Sequence, residues 1–170
     1  MFSPLSASGE YDKDVTSFLE VASSYIERER DVFHFFATLS NLSAFIYSYF
    51  PDLNWAGFYL FDGKKLVVGP FQGEPACIEI RLGHGVCGTA AERKESIIVP
   101  DVSLFPGHIA CSAKSRSEIV VPIIRRDGTL WGLIDIDSPV LNRFSEYDKR
   151  LLENLSNLIS ESFDHDAPML

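Results

Sequence analysis

Two Asp-Gly dipeptides, Asp62-Gly63 and Asp127-Gly128, constrain this chain more than any other feature. Each sits between two runs of strand-forming residues. Trp55-Ala-Gly-Phe-Tyr-Leu-Phe61 precedes the first and Lys65-Leu-Val-Val-Gly69 follows it. Glu118-Ile-Val-Val-Pro-Ile-Ile124 precedes the second and Leu130-Trp-Gly-Leu-Ile-Asp-Ile-Asp137 follows it. Asp and Gly tolerate the positive φ that a tight hairpin turn needs, so each set predicts an antiparallel hairpin. A chain with two such hairpins must build an antiparallel sheet and find something apolar to cover it.

The cover is predicted on both sides in sequence. From Tyr11 to Ile26 the apolar residues Val15, Phe18, Leu19, Ala22, Tyr25 and Ile26 recur at helical spacing. The charged break Glu27-Arg-Glu-Arg-Asp31 ends that helix, and Asp31 caps a second one carrying Val32, Phe35, Phe36, Leu39, Leu42, Phe45 and Ile46 until Pro51. A last helix starts at Ser145 and runs to Leu155, with Ser145 and Asp148 at capping-box spacing. Between the hairpins lie a strand at Cys77–Leu82, a short helix from Gly85 to Arg93 behind a glycine-rich entry, a strand at Ser96–Pro100, and a loop from Asp101 to Cys111. The expected class is α+β, a central antiparallel sheet with helices packed on it, in a single domain over 11–165 after a loose arm at 1–10.

Composition matters for what it excludes. At 170 residues, 46% apolar and 23% charged, the chain has the make-up of one soluble domain. A net charge of −9 with no basic cluster beyond Arg125-Arg126 argues against nucleic acid as a partner. No apolar run reaches the roughly 20 residues of a membrane span, and the first residues do not read as a secretory signal. Three cysteines, an odd number, then point to a reducing compartment, the cytoplasm, where a disulfide is catalytic rather than structural.

Those cysteines fall in one stretch. Cys77 follows Pro75-Ala, Cys87 lies in Gly83-His-Gly-Val-Cys-Gly88, and Cys111 ends Pro106-Gly-His-Ile-Ala-Cys111. Glycines and turns offer side chains to a ligand, whereas a packing cysteine lies inside an apolar run. The repeated His84-x-x-Cys87 and His108-x-x-Cys111 spacing also fits tetrahedral zinc, though that reading leaves Cys77 without a part. Asp135 and Asp137, two apart on a strand, share a face opposite Ile134 and Ile136, and Glu118 lies on the neighbouring strand. They form either a solvated acidic face or a pocket in which like charges raise a carboxyl pKa. Trp55 and Tyr59, four apart, also share a face.

Taken in order, Asn54-Trp-Ala-Gly-Phe-Tyr59, Gly69-Pro-Phe-Gln-Gly73, Gly83-His-Gly-Val-Cys-Gly88, Val99-Pro-Asp101, His108-Ile-Ala-Cys-Ser112, Ser117-Glu-Ile-Val-Val-Pro122 and Gly132-Leu-Ile-Asp-Ile-Asp137 resemble the free methionine-(R)-sulfoxide reductases, small enzymes built on a GAF domain. The likeness covers about residues 20 to 160. It implies that Cys111 is the nucleophile and that Cys77 and Cys87 serve in disulfide resolution. It turns the acids towards a pocket, walled by Trp55 with Tyr59 beside it, and it implies a homodimer.

On that basis the Cys111 thiolate is expected to attack the sulfoxide sulfur while Glu118 and Asp137 polarise the oxygen, which leaves poorly unless protonated. Asp135 pairs with the substrate α-ammonium. The resulting sulfenic acid condenses to a disulfide, which thioredoxin resets, with no metal or organic cofactor. The other reading is a GAF-type module that binds a small ligand without chemistry. Three cysteines and the lack of any output domain in this chain weigh against it.

Overall fold

The computed structural model describes residues 8, 10–26, 31–107 and 113–163. The expected charged break at 27–30, His108 and Cys111, most of the arm at 1–10, and the domain end at 164–165 lie outside the described residues.

Two helices come first, α1 (Tyr11–Ser24) and α2 (Val32–Tyr49). Asp31 does cap α2, its side chain accepting from the backbone N–H groups of Phe33 and His34. The strands are β1 (Trp55–Phe61), β2 (Lys65–Gly73), β3 (Glu79–Arg81), β4 (Ile97–Val99), β5 (Ser117–Ile124) and β6 (Leu130–Ser138). Helix α3 (Gly85–Arg93) links β3 to β4, and α4 (Glu146–Phe163) closes the described chain. The Ser145–Asp148 box forms: the Ser145 backbone N–H donates to Asp148 Oδ2 at 2.7 Å, and the Asp148 N–H reaches back to Ser145 Oγ at 3.3 Å.

The six strands form one antiparallel sheet in the order β3-β2-β1-β6-β5-β4. The two Asp-Gly hairpins are β1–β2 and β5–β6, and they join where β1 pairs with β6 at the centre. On one face, Ala56, Phe58, Ile119, Val121, Ile134 and Ile136 pack against α2 and α4, with Phe18 and Ala22 of α1 in the same core. On the other, Trp55, Tyr59, Val120 and Leu133 pack against α3 and the long loops. Helix α3 is thus the helix set apart from the rest, and it leaves space beside it.

Three boundaries differ from the sequence reading. Strand β2 runs on through Gly69-Pro70-Phe71-Gln72-Gly73, because a bulge opposite Phe58 absorbs Pro70 in the ladder. The Pro70 carbonyl is satisfied by Ser43 Oγ of α2 at 2.9 Å. Strand β3 is only Glu79–Arg81, so Cys77 lies in the β2–β3 loop and not on a strand. Helix α4 continues two turns past Leu155, because Ile159 and Phe163 keep the apolar stripe going into the core.

Pro122, expected within a strand, sits where β5 has outrun β4. The β4 ladder ends at Val120, and beyond it α4 covers the edge, Ser156 Oγ donating to the Pro122 carbonyl and Ser160 Oγ to that of Ile124, both at 2.7 Å. A proline there breaks no ladder bond.

Candidate active site

Cross-strand register assembles the site. Trp55 of β1 lies opposite Asp137 of β6, and Asp137 lies opposite Glu118 of β5. Gly57 lies opposite Asp135. Partners in antiparallel pairs share a face, so Trp55, Tyr59, Glu118, Asp135 and Asp137 all project from the side that α3 only partly covers. They line one cavity together with Glu74–Ala76 of the β2–β3 loop, His84–Cys87 at the start of α3, and Ser115. The sheet-face acids are therefore pocket acids: Glu118 and Asp135 are each 6% exposed.

Two glycines make this arrangement possible. A Cβ at Gly57 would lie 2.3 Å from the Phe71 Cβ and 2.8 Å from the Trp55 ring, so glycine lets the indole lie flat across the strand. A Cβ at Gly88 would meet the Arg81 carbonyl oxygen at 2.2 Å, so glycine seats α3 against β3 with Cys87 facing the acids.

The aromatic wall is a stack. Trp55 lies between Phe71 and Tyr59, with ring centroids 5.1 and 5.9 Å away. Both polar tips are used to hold the β2–β3 loop. Trp55 Nε1 donates to the Glu74 carbonyl at 3.1 Å, and the Tyr59 hydroxyl donates to the Cys77 carbonyl at 3.0 Å. Burial, then the charge of Asp135, pushes the Tyr59 hydroxyl well above its ordinary range, so it stays a donor. Cys77 is half-buried and disulfide-bonded, whereas Cys87 is a buried free thiol.

The acids share protons. The Cys87 thiol donates to Glu118 Oε1 at 3.7 Å. Burial raises Glu118 far above the ordinary carboxylate range, and the charges of Asp135 and Asp137 add to that. Asp137 is raised likewise by burial and by Asp135, against a hydrogen bond from Ser115. Asp135 is raised by burial to about 7, and hydrogen-bond interactions with Cys87, Glu118 and the Ile136 backbone keep it from rising further. Asp135 is therefore the first of the three to ionise, close to neutral pH, while Glu118 and Asp137 hold their protons and can donate them. Burial and the same three acids push the Cys87 thiol well up, so it is not the ready thiolate of the site.

Sequence reasoning missed the clamp at the mouth. Lys114 pairs with Glu74 across the two loops, and Asn54 Nδ2 donates to Ser115 Oγ at 2.9 Å. These partners are 40 and 61 residues apart in sequence, and no local pattern marks them. His84 is exposed, and its backbone begins α3 without a side-chain cap. Among the described residues, the set placed to bind a metal is Cys87, Glu118 and Asp135, without His84.

The family model described as GAF domain matches residues 34–163, which span the sheet, α3 and α4. The free methionine-R-sulfoxide reductase of Saccharomyces cerevisiae is 50% identical over 131 residues, covering 73% of each chain. That of Escherichia coli is 50% identical over 121 residues, covering 71% of this chain and 73% of the relative. Among solved structures, free methionine-R-sulfoxide reductase from Neisseria meningitidis in complex with its substrate superposes with a TM-score of 0.82 at 35% identity, covering 96% of both chains. This chain belongs to the free methionine-R-sulfoxide reductase family of GAF-domain proteins.

Proposed function

We propose that the chain reduces free L-methionine (R)-sulfoxide to L-methionine through cysteine chemistry, and that residues 11–165 form the catalytic domain. The observation that carries this reading is the convergence of Glu118, Asp135 and Asp137 on one cavity under the Trp55–Tyr59 wall. Sulfoxide oxygen leaves only when protonated or strongly hydrogen-bonded. Glu118 and Asp137, which keep their protons at neutral pH, are suited to that task. Asp135 supplies the counter-charge for the α-ammonium, and Trp55 lies flat against the S-methyl group.

In the proposed sequence the Cys111 thiolate attacks sulfur, the protonated oxygen transfers to it, and methionine leaves with Cys111 as sulfenic acid. A second thiol displaces water to give a disulfide. Cys77 is the better resolving thiol: it is the half-buried cysteine that holds a disulfide, whereas Cys87 sits protonated among acids that repel its thiolate. Thioredoxin in the cytoplasm would return both thiols by exchange. No metal or organic cofactor enters these steps, and the working form would be a homodimer.

The deciding assay is methionine formation from the separate sulfoxide diastereomers with a dithiol reductant. Turnover of the (R) form by the parent, abolished in Cys111→Ser, is expected, since a hydroxyl is a far weaker nucleophile at neutral pH. Parent-level turnover in Cys111→Ser would overturn the nucleophile assignment, and no turnover by the parent would overturn the activity. Mass spectrometry of the disulfide after one turnover reads the resolving cysteine directly.

A further inference from the structure

One buried thiol has no part in that sequence. We propose that Cys87, Glu118 and Asp135 form a binding site for a borderline-soft divalent cation of the zinc class, and that a cation held there closes the substrate pocket. The site stands on geometry alone; only its consequence rests on the reductase reading.

One ligand atom from each residue lies within 4.8 Å of the others, and all three residues are buried. Cys87 Sγ and Glu118 Oε1 are 3.7 Å apart. With Zn–S near 2.3 Å and Zn–O near 2.0 Å, a tetrahedral ion spaces sulfur and oxygen by about 3.5 Å, so that edge needs almost no rearrangement. Independently, Asp135 Oδ1 is buried without a hydrogen-bond partner, on a side chain 6% exposed that lines the cavity. An orphaned acceptor of this kind asks for a cation or a donor.

The donor set selects the metal class. Calcium and magnesium take six or more oxygens, whereas one thiolate with two carboxylates suits zinc and its neighbours. Ionised, the three donors carry three negative charges, and among the described residues no Lys or Arg lines the cavity to offset them. Water or Asp137, on the same face, completes the tetrahedron. Because Glu118 and Asp135 are the groups proposed to meet the sulfoxide oxygen and the α-ammonium, cation and substrate exclude each other.

The test uses the full chain as the Cys77→Ser/Cys111→Ser double variant, which keeps Cys87 as its one thiol and has no turnover to confuse the readout. Equilibrium dialysis of the metal-stripped protein should find one zinc ion per chain, and cobalt should give a near-ultraviolet thiolate-to-metal charge-transfer band. Cys87→Ser in that background should abolish the band, and Glu118→Gln or Asp135→Asn should weaken zinc binding roughly tenfold or more. A melting curve confirms that each variant is folded. No bound zinc, or equal affinity with and without Cys87, would overturn the site. With the reduced parent enzyme, zinc inhibition should be relieved by raising the sulfoxide concentration, and inhibition insensitive to substrate would overturn the closing of the pocket. Turnover by the parent without zinc binding discards the metal site alone, whereas zinc binding without turnover discards the reductase reading alone.

Discussion

Along Ile134-Asp135-Ile136-Asp137 the two faces of the sheet are written into one strand, one residue out of step with each other. The isoleucines are fully buried in an apolar core shared with α2 and α4. The aspartates face a cavity in which acids, a thiol and an aromatic stack are crowded together. The first face gains from burial through lost water contact. The second is strained by it, since burial pushes all three carboxyls above their ordinary range. One face holds the fold together and the other spends part of that stability on proton donors at neutral pH. The separation is sharp because the strand period is two, so neither function requires a compromise at the same residue.

The comparison is tested hardest by substrate size. A cavity in which Asp135 ionises near neutral pH, and which among the described residues has no Lys or Arg in its lining, favours a free α-ammonium, which a residue inside a polypeptide lacks. A peptide carrying methionine (R)-sulfoxide at an internal position should be reduced roughly 10⁴-fold less efficiently than the free amino acid. Comparable kcat/KM values would mean an open site and a different use for the acids. On the helix face the matching large effect is on stability. Phe58, fully buried between the strands and α2, should cost about 3–5 kcal/mol when cut to alanine, read by urea unfolding. Its folded fraction should keep the parent's kcat. A changed kcat would mean that the faces are coupled.

Replacing an acid by its amide should do the reverse. Glu118→Gln removes a proton donor and should slow the single-turnover rate roughly 10²-fold or more. The fold should not suffer, because the amide has no charge to bury. Asp135→Asn sharpens this through pH. A carboxyl raised from its ordinary value to about 7 is protonated in the fold at pH values where the unfolded chain has already ionised. The stabilisation is therefore complete below the ordinary carboxylate range and is lost as pH rises to about 7. The melting temperature of the parent should fall over that window, and Asp135→Asn should flatten the fall. A parent curve that rises with pH there would contradict the burial account of these acids.

Much of this contrast was legible in the sequence. The Asp-Gly turns set both hairpins, Asp31 and Ser145 with Asp148 marked helix starts, and the Ile-Asp alternation set the two faces. Local chemistry decides each of these. What stayed hidden depends on contacts between distant segments. The bulge that carries Pro70 through β2 needs Ser43 of α2 to satisfy its carbonyl. The contact of Cys87 with Glu118 joins residues 31 apart through the seating of α3 on Gly88. The sequence placed Cys87 among glycines and Glu118 on a strand, yet only the packing of helix on sheet brings them together.

The smallest expected effect concerns the edge where the helix face ends. Past Val120, β5 has no strand on its β4 side, and α4 takes over that edge through Ser156 and Ser160. Ser156→Ala leaves the buried Pro122 carbonyl without its donor, and a proline offers no N–H through which the ladder can adjust. The loss should be about 1 kcal/mol, the usual net worth of one such hydrogen bond. Because Ser156 lies on α4, across the sheet from the acids, kcat and KM for free methionine (R)-sulfoxide should not move. Urea unfolding and steady-state kinetics on one preparation read both quantities. A shift in KM would show that the position of β5, and with it Glu118, depends on α4, and the two faces would then not be independent.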